Sequence, residues 1–403
     1  MTAKKLNLFQ SIPLGIGSII GSGILFLPSL TYKTSGSDVL LSWALIIALC
    51  VPGIIFFNEM VGKLRIEDSN LSGLIELGLG KDVGNTVSLI LLGTVIFGMP
   101  SAAIVAGSYC SEFFGLPILK TIVSFSLISL ALIVNHFGLN AASWVTFAIS
   151  ALLLTVGTYL FLGSIQPISS YRVLTPNYNF NNIYSGAVLA FWAFAGFENL
   201  TFLYSKFDNP KRDLIITIVF SVLICGLLYL GLVANYAAIV PFYKINQTTG
   251  LMQLGSFIGG QSLGRIIVIF AVTAVCINLV SWTSGVLRLI SHLSYEGVLP
   301  LKILAAKNGP LILLSCLFYI SLMIGLLSPA MFDHVLVVVS TNFLLIYLLL
   351  IGSYIFQASS LIKRVIAITV ALLLLATLSS SSYLLFYPFL LFLITFLRSR
   401  KHV

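Results

Sequence analysis

The chain has 403 residues, of which 59% are hydrophobic and only 8% are charged, and its mean hydropathy is +1.08. Soluble domains carry roughly 25% charged residues, so this composition excludes a soluble protein and predicts one transmembrane domain over residues 1–403. The net charge of +9 does not indicate nucleic-acid binding in so apolar a chain, because the positions of the basic residues have a topological explanation.

Apolar runs of about 20 residues, the length that an α-helix needs to cross a bilayer, recur along the chain between polar breaks. They predict an all-α membrane protein with about twelve transmembrane helices, and eleven is the alternative count. The two longer connections between spans, 62–83 and 294–309, have helix-like apolar spacing and predict short helices at the membrane surface. The predicted spans are 8–30, 38–61, 84–112, 119–138, 140–163, 184–206, 213–241, 262–293, 310–328, 332–356, 362–379 and 382–397.

The distribution of lysine and arginine gives the predicted spans an orientation. With the N-terminus inside, 16 of the 21 basic residues fall on the side of the two termini and the other five fall on the opposite side. Cytoplasmic loops carry an excess of Lys and Arg, so we predict cytoplasmic N- and C-termini and a location in the cytoplasmic (inner) membrane.

Two spans contain glycine or polar interruptions at mid-depth, at 21–23 (GSG) and within 191–199 (FWAFAGFEN). Backbone leaves the helical path inside a membrane only where it lines protein or a wet cavity, and interruptions in matching spans of two halves are typical of transporter sites. Their places in spans 1 and 6 indicate two five-helix repeats of opposite topology, 8–163 and 184–356, followed by two additional helices at 362–397. The alternative for the first-span glycines is close packing of small residues between helices.

The two interruptions would offer opposite partial charges to one small zwitterion. The half-helix that begins after Gly23 directs free N–H groups and a positive dipole end at the gap, where a carboxylate binds. The half-helix that ends near Ala195 leaves free carbonyl groups, which accept hydrogen bonds from an ammonium group. An α-amino acid carries both groups on one carbon, so an amino-acid site is predicted.

Among the acidic residues, Glu198 is the one that lies well inside a predicted span, 184–206. A charge at the centre of a span costs about 2.5–3.5 kcal/mol on insertion scales, which indicates a functional role. Glu198 either binds and releases a proton during transport, or it accepts hydrogen bonds from backbone N–H groups and holds the broken segments together. We assign Glu198 and Asn278 to coupling or gating. The neutral candidates for the pocket lining are Ile19, Ile24, Phe97, Met99, Trp192, Phe194, Asn278, Trp282 and Asn342.

The predicted pocket has no Lys, Arg or second acid that could pair with a charged side chain. A neutral, apolar amino acid such as methionine, leucine, isoleucine or valine is therefore the predicted substrate. Sodium needs several hard oxygen ligands, which Ser281, Thr283 and Ser284 could supply together with first-span carbonyls. No carboxylate stands beside the first-span interruption, so proton coupling or exchange is favoured over sodium. No cofactor and no metal site are expected.

These segments resemble the amino acid–polyamine–organocation superfamily. Residues 15–24 (GIGSIIGSGI) look like that family's unwound helix, and residues 191–214 (FWAFAGFENLTFLYSKFDNPKRDL) match its aromatic-rich broken helix, glutamate and N-P-x-R-x loop. Residues 282–300, ending in YEGVLP, are similar to its eighth helix and the exit from it. The resemblance covers about residues 8–356, and bacterial exporters of methionine and branched-chain amino acids are the suggested nearest members.

The resemblance implies a LeuT-like 5+5 inverted repeat and a secondary transporter that works by alternating access, as a monomer or homodimer. It implies that Ser22 and Gly23 contact the substrate carboxylate and that the carbonyls of Ile19, Trp192 and Ala195 meet its amino group. The predicted substrate-binding set is Ile19, Gly21, Ser22, Gly23, Trp192, Phe194, Ala195, Gly196 and Trp282. The two tryptophans of this set are the implied aromatic gates, although a membrane tryptophan is more often a packing residue or an interface anchor.

Two other classes of protein compete with a transporter. A membrane-embedded enzyme needs a nucleophile–base or metal constellation, and the His, Cys and Asp residues do not converge in a known spacing, so an enzyme is not expected. An amino-acid sensor or a channel on the same fold is the second alternative. A sensor usually carries an extra soluble domain, and no charged stretch here is long enough to form one.

Overall fold

The computed structural model of the chain describes residues 7–63, 71–137, 155, 175–197, 200, 207–299, 304, 306 and 308–399. None of these residues lies in a β-strand, and short 3₁₀ turns join several of the helices. The α-helices in chain order are α1 (Leu8–Ile20), α2 (Gly23–Ser35), α3 (Val39–Val61), α4 (Leu71–Leu79), α5 (Lys81–Phe114), α6 (Ile118–His136), α7 (Phe180–Phe191), α8 (Pro210–Ile239), α9 (Gly250–Tyr295), α10 (Gly309–Leu327), α11 (Pro329–Gln357), α12 (Leu361–Ser379) and α13 (Phe386–Ser399).

Several of these helices have the length and apolar composition of membrane spans. Predicted spans coincide with helices where the chain is described, whereas 140–163 lies outside the described residues apart from residue 155. The all-helical membrane architecture is therefore confirmed, and the count of twelve spans stays a prediction. Eight described segments are long and apolar enough to cross a bilayer: Gly23–Val61 (which joins α2 and α3), Lys81–Phe114, Ile118–His136, Pro210–Ile239, Gly250–Tyr295, Gly309–Leu327, His334–Gln357 and Leu361–Ser379.

The long helix α5 lies at the centre of the bundle, where it packs against α4, α6, α9, α10, α11 and α13. Its contact with α6 is close because Gly107 has no side chain. A β-carbon on Gly107 would lie 2.4 Å from the carbonyl oxygen of Lys120, which is nearer than any real contact. Small residues permit this approach of two helices in lipid, where van der Waals packing drives their association. The central position of α5 brings one of its faces to the cavity described below.

The segment between α8 and the middle of α9 folds against α2 and ties it to α5. Helix α9 is kinked at Gly260, which has φ +62°, so its first part turns back towards α2. The Ser29 hydroxyl of α2 donates to the carbonyl of Gln247 at 3.1 Å. The Glu112 carboxylate of α5 accepts a hydrogen bond from the Asn246 side chain at 3.1 Å. The first bond anchors the middle of α2 to the segment that connects α8 and α9, and the second ties that segment to α5.

The first of the two predicted surface helices is present as α4. It packs against α11, where the Ser353 hydroxyl donates to the Leu74 carbonyl at 2.8 Å. Gly78 approaches the same serine so closely that a β-carbon would lie 2.4 Å from the Ser353 carbonyl oxygen. Six residues of the second connection, 300–303, 305 and 307, lie outside the described residues.

Candidate functional site

The first predicted interruption is present between α1 and α2. Helix α1 ends at Ile20, Gly21 has φ +41°, and α2 begins at Gly23. A positive φ is strained for any residue with a β-carbon, so glycine suits this turn. Ser22 precedes α2 but its side chain makes no capping hydrogen bond. The first N–H groups of α2 therefore lack a side-chain cap, and the positive end of the helix dipole faces the gap.

Two buried tyrosines hold the backbone on both sides of this gap. The Tyr229 hydroxyl of α8 donates to the Ile20 carbonyl at 3.1 Å, and the Tyr109 hydroxyl of α5 donates to the Leu25 carbonyl at 2.6 Å. The Tyr229 ring is stacked on Trp43 with centroids 4.7 Å apart. A buried carbonyl left without a partner costs about 1–3 kcal/mol, so each bond stabilises the broken geometry.

If the gap binds the substrate of the predicted transporter, replacing Tyr229 with phenylalanine is expected to lower transport about fivefold. The lost hydrogen bond contributes about 1 kcal/mol to the position of the Ile20 carbonyl. Initial uptake rates in proteoliposomes at equal protein content measure this. The matched control is Tyr319→Phe, which removes a 2.8 Å bond to Ser129 between α6 and α10. Wild-type transport is expected for that control, and an equal loss in both variants would contradict a specific role for Tyr229.

The second interruption follows α7. The α-helix ends at Phe191, one 3₁₀ turn spans Trp192–Phe194, and Ala195 is extended with φ −63° and ψ 133°. Gly196 then has φ +123°, a conformation that favours glycine. The Trp192 carbonyl accepts the Ala195 N–H at 3.1 Å, and beyond it the chain leaves the helical path. The last carbonyls of this half-helix therefore lack the partners that a continuing helix would supply.

Both interruptions face one cavity between the helices. No charged side chain occurs among its described lining residues. Three longer helices, α5, α9 and α11, complete the walls. The lining residues are Ile19, Ile20, Gly21, Ser22, Gly23, Thr94, Val95, Gly98, Met99, Trp192, Ala195, Asn278, Trp282, Val339 and Phe343.

Most of the site residues predicted from the sequence meet at this cavity. Phe194 and Gly196 lie outside the lining, and Phe194 packs with Trp43 and Tyr229, each ring centroid 6.2 Å away. Glu198 lies outside the described residues. Of the other pocket candidates, Met99 lines the cavity, whereas Ile24, Phe97 and Asn342 do not. The predicted residues that line it are Ile19, Gly21, Ser22, Gly23, Trp192, Ala195, Asn278 and Trp282.

Sequence reasoning missed several lining residues, most of them on α5 and α11. Both helices are apolar around nearly their whole circumference, so the pattern does not show which face points inward. The residues predicted on α5 were Phe97 and Met99, which flank Gly98. The missed residues are Ile20, Thr94, Val95, Gly98, Val339 and Phe343.

Asn278 of α9 directs its side-chain amide at the first interruption. Its Nδ2 atom lies 2.7 Å from the position that a β-carbon on Gly21 would occupy. The amide forms no hydrogen bond with the described residues. The Asn278 side chain is partly exposed and lines the cavity, so its amide is available to hydrogen-bond a ligand that enters.

The sequence of this chain matches a known protein family and is similar to several known proteins. The family model described as amino acid permease matches residues 6–402. The L-methionine/branched-chain amino acid exporter YjeH of Escherichia coli is 24% identical over 57% of this chain, and the match spans 55% of the exporter's length. The branched-chain amino acid permease BcaP of Bacillus subtilis is 23% identical over 74% of this chain and 68% of its own length.

A relative named for a different class of substrate is also similar. Cationic amino acid transporter 4, vacuolar, of Arabidopsis thaliana is 23% identical over 74% of this chain, and the chain spans only 54% of that protein's length. The identities are low, whereas the family model extends over nearly the entire chain. The bundle has two interrupted helices that face one cavity, as described above. The chain therefore belongs to the amino acid permease family of the amino acid–polyamine–organocation superfamily, an integral membrane family of amino-acid transporters.

Proposed function

We propose that this permease is a secondary active transporter of neutral, apolar amino acids such as methionine, leucine, isoleucine and valine. The observation that carries the proposal is the cavity, because two helix interruptions face it and its described lining side chains are uncharged. Alternating exposure of this cavity to the two sides of the membrane would move the substrate across.

The backbone supports binding of the amino-acid head group. The open N-terminus of α2, at Ser22 and Gly23, suits the carboxylate, since free N–H groups and the helix dipole both favour an anion there. The carbonyls near Ile19 and Ala195, at the ends of two half-helices, suit the ammonium group. The Asn278 amide is close enough to Gly21 to add a hydrogen bond to the carboxylate. A zwitterion thus finds complementary groups without any charged side chain.

The character of the lining supports a neutral substrate side chain. A cationic side chain buried in this cavity would need an acidic partner, and the described lining residues include none. The names of the Escherichia coli and Bacillus subtilis relatives agree with an apolar substrate, whereas that of the Arabidopsis relative points to a cationic one. The absence of charged side chains among the described lining residues supports the apolar class.

Uptake by the purified protein in proteoliposomes tests this function. Radiolabelled methionine and leucine are expected to accumulate against their gradients, while arginine and glutamate are not. Accumulation against a gradient distinguishes a transporter from a channel or a sensor, which move no substrate uphill. Preferred transport of arginine or glutamate would overturn the proposed substrate class.

The topology that we propose is twelve spans in two inverted repeats, 8–163 and 184–356, with two further helices at 362–397. Both termini would be cytoplasmic, in a cytoplasmic (inner) membrane, with the protein a monomer or homodimer. The excess of basic residues on one side and the interruptions in the first and sixth spans support this arrangement. Labelling of single cysteines at residues 4 and 246 with an impermeant reagent tests it, because only residue 246 should react from outside.

We further propose that a proton drives transport and that Glu198 carries it. The proposal rests on the sequence, which places an acidic residue at membrane depth beside the second interruption. Such residues are costly to insert and are therefore rare in membrane spans except where they have a function. Replacing Glu198 with glutamine is expected to abolish uptake driven by a pH gradient while leaving exchange of labelled for unlabelled substrate in place. Wild-type rates of pH-driven uptake in this variant would show that Glu198 is not the proton site.

The same vesicles test sodium coupling. The Thr283 hydroxyl oxygen of α9 is buried and has no hydrogen-bond partner among the described residues, which is the observation that favours a sodium ligand in this region. A sodium gradient without a pH gradient is expected to drive no uptake. Uptake that depends on sodium and is lost in Thr283→Ala would show that sodium, and not a proton, drives transport.

A further inference from the structure

We propose that a cluster of four basic side chains at the ends of α3, α8 and α12 binds the phosphate group of an anionic phospholipid. The basic cluster consists of Lys63, two residues after α3, Lys211 of α8, and Lys363 and Arg364 of α12. In the proposed topology it lies at the cytoplasmic leaflet. The inference goes beyond the proposed transport function and does not depend on which substrate the protein carries.

The turn that ends α3 gathers three of these side chains. Glu59, Gly62 and Lys63 lie on one face, because Gly62 keeps a helical conformation and positions three and four residues apart are neighbours on a helix. The Lys363 Nζ atom lies 2.5 Å from the Glu59 Oε1 atom, which brings α12 to this face. Lys211 reaches it from α8, since a β-carbon on Gly62 would lie 2.9 Å from the Lys211 Cε atom. Three segments of the chain therefore place cations around a single turn.

Glu59 is the carboxylate that contacts the basic cluster, and it is occupied by one cation. Its Oε1 atom pairs with Lys363, and its Oε2 atom accepts a hydrogen bond from the Tyr354 hydroxyl at 2.6 Å. Lys63 instead donates to two uncharged oxygens of Gln357, the carbonyl at 3.0 Å and the side-chain amide oxygen at 3.2 Å. One negative charge thus faces four positive charges that lie close enough to repel one another.

The other two cations are exposed and keep their charge available. Lys211 and Arg364 form no ion pair with any residue that the structure describes. The carboxylate of Asp213, which follows Lys211 by two residues, pairs with Arg212 at 3.0 Å. An anion that binds beside these side chains would relieve the repulsion within the basic cluster, and phosphate is the anionic group that a membrane supplies at this depth.

An exposed apolar stripe runs along α12 directly from the basic cluster into the membrane. Its residues are spaced four and three apart, so they share one face of the helix. Arg364 lies at the head of this face, four residues before Ile368. At 1.5 Å per residue the stripe is about 21 Å long, which exceeds the roughly 15 Å of hydrocarbon in one leaflet. The stripe consists of Leu361, Val365, Ile368, Leu372 and Leu375.

The two features together fit a lipid and not a free phosphate ion. A free ion would contact only the cations, whereas a phospholipid would place its phosphate at the basic cluster and its acyl chains along the stripe. A head group with its own cation, as in phosphatidylcholine, would not offset the excess positive charge. The site is therefore expected to prefer a lipid of net negative charge, such as phosphatidylglycerol.

Native mass spectrometry of the purified full-length protein, with phosphatidylglycerol added to the detergent solution, measures this binding. The wild type is expected to bind phosphatidylglycerol about tenfold more tightly than phosphatidylcholine. Each basic residue near an anionic lipid contributes about fivefold to affinity, so Arg364→Gln should weaken phosphatidylglycerol binding about fivefold and Lys211→Gln/Arg364→Gln about 30-fold. Arg364→Lys keeps the charge and is expected to bind as the wild type does.

The matched control is Arg288→Gln, which removes the same charge from an exposed arginine of α9 outside the basic cluster. Less than about a twofold change is expected for this control. Equal weakening by Arg288→Gln and Arg364→Gln would show general attraction to a positive protein and would overturn the site. Wild-type affinity in Lys211→Gln/Arg364→Gln, or equal binding of the two lipids, would overturn it as well.

Inorganic phosphate is the second probe, because it carries the anionic group without acyl chains. Excess inorganic phosphate is expected to leave phosphatidylglycerol bound. Displacement of the lipid by phosphate would show a site for the free ion, and the lipid assignment would be wrong. These measurements involve no transport, so failure of methionine uptake would remove the proposed function and leave the lipid site in place.

Discussion

Replacing Gly21 with alanine is expected to lower transport at least tenfold. The residue has φ +41°, a region that costs an L-residue with a β-carbon about 1–2 kcal/mol. The added β-carbon would also lie 2.7 Å from the Asn278 amide nitrogen, which would have to move away from the cavity. A free-energy change of about 1.4 kcal/mol is tenfold in an equilibrium, so strain and displacement together give at least that loss of substrate binding.

Substrate affinity from saturation uptake measures the effect of Gly21→Ala, and Gly53→Ala in α3 is the control. Both variants add one methyl group to a glycine, but a β-carbon on Gly53 meets no atom within 4 Å. The expected result is a large rise in KM for Gly21→Ala with wild-type behaviour for the control. If Gly21→Ala transports normally, the interruption between α1 and α2 does not bind the substrate.

A second large loss is expected when Trp192 is replaced by leucine. The indole lies edge-on to Phe26 of α2, with ring centroids 5.3 Å apart, and its Cζ2 atom faces Gly98 of α5. The side chain thus spans the cavity from one interrupted helix towards α5 and is only 8% exposed. Leucine loses the aromatic contact, about 0.5–1.5 kcal/mol, and leaves part of the cavity open. Since about 1.4 kcal/mol is tenfold, we expect KM to rise about 2- to 12-fold.

Two further variants make the Trp192 test specific. Trp192→Phe keeps an aromatic ring and is expected to fall between wild type and Trp192→Leu. Phe318→Leu shortens a fully buried aromatic residue of α10 that does not line the cavity, and it is expected to keep the wild-type KM. Equal increases for Phe318→Leu and Trp192→Leu would show that general packing, and not the site, explains the effect.

The two interruptions could be predicted because their causes are local. Gly21 and Gly196 occupy positive-φ positions, and glycine adopts them without steric cost, so their clustering with polar neighbours is visible in the sequence. The polar side chain of Asn278 in an apolar run was visible for a similar reason. Local composition therefore located the two half-helix ends and the amide that faces them.

Phe194 shows where local reasoning stopped. It belongs to the aromatic run around the second interruption, and the sequence analysis placed it with the substrate. The 3₁₀ turn at Trp192–Phe194 instead directs its ring into the core between Trp43 and Tyr229, while Trp192 and Ala195 line the cavity. The change from an α-helix to a 3₁₀ turn decides which of several adjacent aromatic residues reaches the site, and composition does not predict that change.

The sequence by itself determined that this protein is a helical membrane protein and where two of its helices are interrupted, since hydropathy and glycine placement act over a few residues. Only the tertiary structure decided that Thr94, Gly98 and Val339 face the same cavity as the interruptions. The physical reason is that a helix surrounded by lipid and by other helices is apolar on every side, so the face that meets a partner is chosen by shape and close packing and not by hydrophobic contrast.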